Sequence, residues 1–181
     1  AFMHSSASNR AQGDIYKYNV ADGKLENITN TPTEMESDNY VHKKGLVTVI
    51  RQKLLNGEPQ NPNNLFSFNI NQPDKISQLT SFTDSIGEHC CVADAKYSPD
   101  GKWLSYAHFA SVYSGKHAEW NIMLVKKGGS KMNLSKGQRE DYWPMWSLDS
   151  SKLLWVSYDT LGNLYSLRLK NFKNAHESRI D

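Results

Sequence analysis

Short stretches of alternating apolar and polar residues run the length of the chain, and nowhere do apolar positions fall at the three-to-four spacing of a helix. One stretch recurs four times: Asp14-Ile15-Tyr16-Lys17-Tyr18-Asn19, Asn64-Leu65-Phe66-Ser67-Phe68-Asn69, Asn121-Ile122-Met123-Leu124-Val125-Lys126 and Asn163-Leu164-Tyr165-Ser166-Leu167-Arg168. Counted from Ile15, Leu65, Ile122 and Leu164, the copies lie 50, 57 and 42 residues apart. A second stretch, ending in Asn27-Ile28-Thr29, Gln78-Leu79-Thr80 or Asn133-Leu134-Ser135, follows the first three copies. The pieces between, such as Ala21-Asp22-Gly23-Lys24, consist of turn formers, so each pair predicts a β-hairpin.

Another hairpin precedes each of these. Ala95-Lys96-Tyr97-Ser98 and Trp103-Leu104-Ser105-Tyr106-Ala107 flank Pro99-Asp100-Gly101-Lys102, where Pro presets φ and Gly accepts a positive φ. Met145-Trp146-Ser147-Leu148-Asp149-Ser150 repeats this turn without the Gly, and Val41-His42-Lys43-Lys44-Gly45 replaces its acidic residue. Each unit thus contains four antiparallel strands, A to D, with A near 37–42, 93–98 and 142–147. Four strands per unit of this length predict an all-β protein, a β-propeller of four-stranded antiparallel blades. Trp103, Trp146, Trp155, Tyr16, Phe66 and Tyr165 are expected to be buried between blades.

Tyr97-Ser98-Pro99-Asp100-Gly101-Lys102-Trp103-Leu104, the degenerate Trp146-Ser147-Leu148-Asp149-Ser150 and the Asp14-Ile15-Tyr16 phrase resemble the WD40-like PD40 repeats of TolB-type β-propellers. The resemblance covers essentially the whole chain. It implies a rigid ring whose relatives include binding proteins, the propellers of S9-type peptidases and oligogalacturonate lyase-like enzymes. It also implies a periplasmic or secreted location.

On this pattern the blades span 1–30 (partial), 35–81, 92–135 and 141–170 (partial), with 171–181 a polar tail of little β-propensity. The arc amounts to about 3.5 blades of a six- to eight-bladed ring. Ala1–Ser5 is expected to lack an A-strand partner on its inner side, leaving unpaired backbone groups. The remainder of the chain or another subunit then completes the propeller.

Charge changes the picture little. Lys and Arg number 21 against 19 Asp and Glu, scattered rather than striped, which argues against nucleic acid as a partner. No apolar run approaches the about 20 residues of a membrane-spanning helix. Asn27-Ile28-Thr29 and Asn133-Leu134-Ser135 match the glycosylation sequon but lie within predicted D strands.

The D-to-A and B-to-C connections of a propeller share one face, and here they read as long loops: His4 to Gln12, Gln52 to Asn63, Thr83 to Ala93, His108 to Glu119 and Lys136 to Trp143. Long loops on a rigid scaffold are where binding usually resides. Arg10, Glu88, His89, His108, His117, Glu119, Arg139, Asp141 and Tyr142 are therefore the candidate binding residues. His89, His108 and His117 with nearby carboxylates could hold a divalent metal, although no HxH or HExxH spacing gathers them. No cofactor is otherwise predicted.

Glu88, Asp94, Glu119, Glu140 and Asp141 could supply a carboxylate pair, and no G-x-S-x-G nucleophile elbow is present. The neighbours Cys90 and Cys91 read as small core residues, with a vicinal disulfide or thiolate metal ligation as alternatives. Pro99, Asp100, Gly101 and Asp149 read as structural turn residues. The expected function is a TolB-like binding propeller engaging a protein or glycan partner through the long-loop face. The alternative is part of an enzyme, a lyase, hydrolase or redox protein, with a propeller-borne metal or haem site.

Overall fold

In the computed structural model, residues 2–6, 9–83, 90–113, 117–126, 129, 131–137, 139–159, 162–172 and 177–180 are described; for 2–6, 9–12, 113 and 177–180 only the backbone is. All regular structure among them is β, in two compact units, Ala1–Cys91 and Val92–Asp181.

In the first unit, β1 (Phe2–Ser6), β2 (Asn9–Tyr18) and β3 (Leu25–Asn27) form a three-stranded antiparallel sheet with β1 at its edge. The strands β4 (Glu34–Val41), β5 (Leu46–Leu55), β6 (Glu58–Asn69) and β7 (Gln72–Gln78) form a four-stranded one. Ile15 and Ile28 of the first sheet pack on Val47, Val49 and Phe68 of the second, forming the core of this unit.

In the second unit, β8 (Val92–Tyr97), β9 (Trp103–Tyr113), β10 (His117–Lys126) and β11 (Lys131–Asn133) make one blade. β12 (Glu140–Trp146), β13 (Lys152–Asp159), β14 (Leu164–Asn171) and β15 (Glu177–Ile180) make the next. Ala107, Ile122 and Leu124 of the first of these blades bury against Leu153 and Trp155 of the second. Phe172 closes one end of this core, its ring 6.0 Å from Trp103 and 5.5 Å from Trp146.

The recurring phrase has a physical reason. The amides of Ile15, Leu65 and Ile122 donate not to another strand's carbonyl but to a hydroxyl, Thr29 Oγ1 (2.9 Å), Thr80 Oγ1 (2.9 Å) and Ser135 Oγ (2.8 Å). Their carbonyls accept the amides of Ile28, Leu79 and Leu134. The polar residue just ahead then fastens the chain beyond strand D: Asp14 accepts from Thr31 N at 2.9 Å, and Asn64 accepts from Phe82 N at 2.7 Å. The sequon positions belong to this lock. Asn27 donates to Asp14 and Tyr16 and accepts from the amides of Thr29 and Asn30, so it is committed within the sheet.

The A-to-B turns repeat as closely. Ser98 Oγ donates to Asp100 Oδ1 and accepts Trp103 N, and Ser147 does the same with Asp149 and Lys152. Gly101 sits at φ +76°, and Ser150 takes the same left-handed region at φ 60°, its Oγ accepting Asp100 N. The second blade keeps the turn in spite of its departure: Gly45 N donates to His42 O, and His42 Nδ1 accepts Lys44 N in place of the carboxylate.

Several expectations are corrected. The tail supplies a fourth strand, since β15 pairs along β14 with Leu169 opposite Ser178. The fourth phrase is out of register: Ile122 lies opposite Ala107, but the residue in the matching place opposite Val156 is Leu167, three positions beyond Leu164. Tyr165 is consequently 73% exposed, stacked on Tyr158 at 4.4 Å, whereas Trp155 is fully buried and Trp103, Trp146, Tyr16 and Phe66 are half-buried.

The connections Gln52–Asn63 and His108–Glu119 are largely continued β-ribbon rather than loops. The first of them closes through Asn56 (φ 53°) and Gly57 (φ 82°), the left-handed pair that a two-residue hairpin requires. Cys90 and Cys91 are bonded to each other, with Cys90 buried as a core residue and its carbonyl accepting Asn63 N.

Replacing Thr80 by the isosteric Val leaves Leu65 N–H buried without an acceptor, so the expected loss is about 1–3 kcal/mol in urea unfolding. Asp100→Ala, which removes one acceptor from an exposed turn, is expected to cost about 1 kcal/mol. Unchanged midpoints for both variants would contradict the lock and the turn assignment alike.

Candidate functional site

The expected binding residues that the structure describes in full all lie in the second unit. The connection after β11 returns so that Trp120 N donates to Arg139 O at 3.0 Å, and Trp120 pairs in parallel with Glu140. This single bridge draws Glu119, Arg139, Asp141 and Tyr142 to one end of the two blades.

Glu119 accepts from Ser111 Oγ and Asn121 Nδ2, both at 3.1 Å, and Tyr142 donates to Glu140 at 3.2 Å. Burial beside the Glu140 carboxylate raises the Tyr142 phenol above its ordinary range, so it stays a neutral donor. Arg139 Nη2 donates to Lys136 O.

Histidine does not gather here. His108 lies opposite Asn121 and His117 opposite Tyr113, five residues apart along β9, or about 16 Å at strand rise. These two do not share one ion, and no three His, Cys, Asp or Glu side chains cluster among the described residues. Glu88, His89 and the side chain of Arg10 lie outside the described residues.

The feature that residue chemistry did not announce is aromatic. Phe109, Trp120, Tyr142 and Trp143 form a run, with ring centroids 5.6, 5.4 and 6.2 Å apart in that order. Every A strand carries a two-residue bulge, at Asp38, Asp94 and Trp143, each with a positive φ. Asp tolerates that conformation, but a bulky aromatic side chain there is an outlier. Trp143 has φ 54°, its amide donates to Asp94 Oδ2 at 3.3 Å, and the side chain is 56% exposed.

One position before Tyr142, Asp141 is 1% exposed, and neither carboxylate oxygen has a well-formed hydrogen bond among the described residues. Burial raises its pKa, and the Ser157 and Ser135 hydroxyls and the Arg139 and Arg168 charges offset that shift only in part. The equivalent acid of the first unit, Glu36, is fully buried and also raised by burial, but it holds Arg51 at 2.7 Å.

A carboxyl whose folded pKa is raised destabilises the fold when it ionises, so its penalty grows as pH climbs from the unfolded value of about 3.9 through the folded one. Asp141→Asn removes that titration. The stability difference between wild type and variant should therefore be larger in the wild type's favour at pH 4 than at pH 7, measured by urea unfolding at both. A difference independent of pH would show that Asp141 is not held this way.

No protein-family model matches the chain, and no curated protein does. Solved structures do. TolB from Acinetobacter baumannii superposes with a TM-score of 0.64 at 18% identity, over 98% of this chain and 39% of its own. A putative TolB from Agrobacterium tumefaciens gives 0.61 at 18% identity, over 93% of this chain and 56% of its own. Oligogalacturonate lyase from Vibrio parahaemolyticus gives 0.65 at 12% identity, over 92% of this chain and 47% of its own. The chain thus spans 39% and 56% of the length of the two TolB structures it matches. At these identities the likeness carries the fold alone, and that fold is the TolB-like β-propeller.

Proposed function

We propose that this chain is part of a binding propeller whose partner is a protein, met at the end of the second unit that carries Trp143. The observation that supports this reading is the backbone of Trp143. A bulky residue at positive φ is strained, and such strain collects at binding and switching sites. Here the strained conformation leaves a tryptophan exposed, with Tyr142 and Trp120 behind it. Trp, Tyr and Arg are the residues that most often dominate protein interfaces, and Arg139 lies at the same end. A periplasmic or secreted setting accompanies this reading, in keeping with the fold. No helix among the described residues is long and apolar enough to cross a membrane.

A second contact is part of the proposal. Ala107 and Ile122 are fully buried under the neighbouring blade, yet Leu167, in the matching register on β14, is 39% exposed. A further blade, from the remainder of the chain or from another subunit, fits that face.

The test is capture of a protein from the native periplasmic extract by wild type, Trp143→Ala and the control Leu148→Ala, whose side chain is 95% exposed. Wild type and control should retain the same partner, and Trp143→Ala should lose at least about tenfold in affinity, as a hot-spot truncation does. The variant should remain folded, with an unchanged β-sheet circular dichroism spectrum, so that the loss of affinity reads the contact and not the fold. Partner capture indifferent to Trp143→Ala would overturn the reading. So would a stoichiometric transition metal that disappears in the His108→Ala and His117→Ala variants, which would favour the enzymatic alternative.

A further inference from the structure

The first unit carries a pocket of about 580 Å³ built wholly from its second blade and the segment that follows. We infer that it binds a neutral sugar of one or two rings. This inference is independent of the Trp143 surface, which belongs to the other unit.

The volume falls within the roughly 300–1,000 Å³ of small-ligand sites. Three carboxamides in its wall are fixed by bonds that leave their other polar atom uncommitted. Gln60 Nε2 donates to Glu58 O, Gln78 Nε2 donates to Thr80 O, and Asn61 Oδ1 accepts Gln52 Nε2. Gln60 Oε1, Gln78 Oε1 and Asn61 Nδ2 remain without a protein partner among the described residues. Two acceptors and one NH₂ donor match neighbouring hydroxyls, each of which both donates and accepts.

Charge decides against an ion. The Arg51 guanidinium is engaged by Glu36 at 2.7 Å and Glu34 at 3.4 Å, so it is not a free anion clamp. An incoming anion would also meet Glu34, and an incoming cation would meet Arg51 and Lys53. A neutral polyol incurs neither repulsion. Phe82 supplies apolar wall for the C–H face of a sugar ring, while the Phe66 ring at the base is covered by Arg51 at 5.2 Å.

Saturation-transfer NMR on the whole chain tests this with cellobiose, maltose and lactose, each at about 10 mM, ten times a Kd of about 1 mM. Glucuronate and inorganic phosphate are run beside them. At least one neutral disaccharide should bind, Asn61→Ala and Gln78→Ala should each weaken it at least about fivefold, and the exposed-turn control Val20→Ala should not. Both test side chains are exposed, so circular dichroism should show the variants folded. If one fails to fold, the other decides. Binding of the anions alone, of none of the three disaccharides, or with unchanged affinity in the folded variants would overturn the inference.

Discussion

The bond that three of the four blades share is the one from a C-strand amide to a D-strand hydroxyl. The D strands β3 and β11 span only three residues each, so few ladder bonds hold the outer edge. Thr29, Thr80 and Ser135 supply the missing acceptor at the point where strand D leaves the sheet. A buried amide without a partner is costly, so the hydroxyl both completes strand C and fixes where strand D ends. In the first and last of these cases the same hydroxyl also lowers the pKa of the buried acid of the following blade, Thr29 for Glu36 and Ser135 for Asp141.

Most of the architecture was legible because it is written in local chemistry that repeats. The Ser-x-Asp turns need a hydroxyl and a carboxylate two residues apart, and both copies show them in the sequence. Some patterns have two physical readings. Asn-x-Ser/Thr is both a glycan acceptor and the hydroxyl lock, and only the partners of Asn27 separate the two. The Asn163-Leu164 phrase resembled the earlier copies, but a register slip of three residues leaves every local composition intact. The polar tail has weak strand propensity, and β15 forms because β14 offers a paired edge. Strand propensity reflects such context more than the residues themselves. Asn56-Gly57 was a hairpin signal in plain view, hidden by treating its polar surroundings as loop.

The candidate site was less legible. Residues chosen for their chemistry, such as His108 and His117, are kept apart by strand register, a long-range property. The bulge at Trp143 is equally invisible in composition, since the same place in the other A strands holds Asp38 and Asp94. Only the comparison of backbones shows that a tryptophan occupies a position which elsewhere carries a residue suited to positive φ.

The two units treat the same buried acid differently. In the first, Glu36 Oε1 meets an arginine across the strand pair, Arg51, while its Oε2 is buried without a well-formed bond among the described residues. In the second, Ser157 stands where Arg51 would, and the Asp141 oxygens, Asn121 Oδ1 and Arg139 Nε are buried without well-formed bonds among the described residues. Proteins depart from local consistency chiefly at sites that serve a function. The unpaired polar groups lie on the same blade ends as the strained backbone of Trp143, and the physical case for this end of the second unit rests on that coincidence.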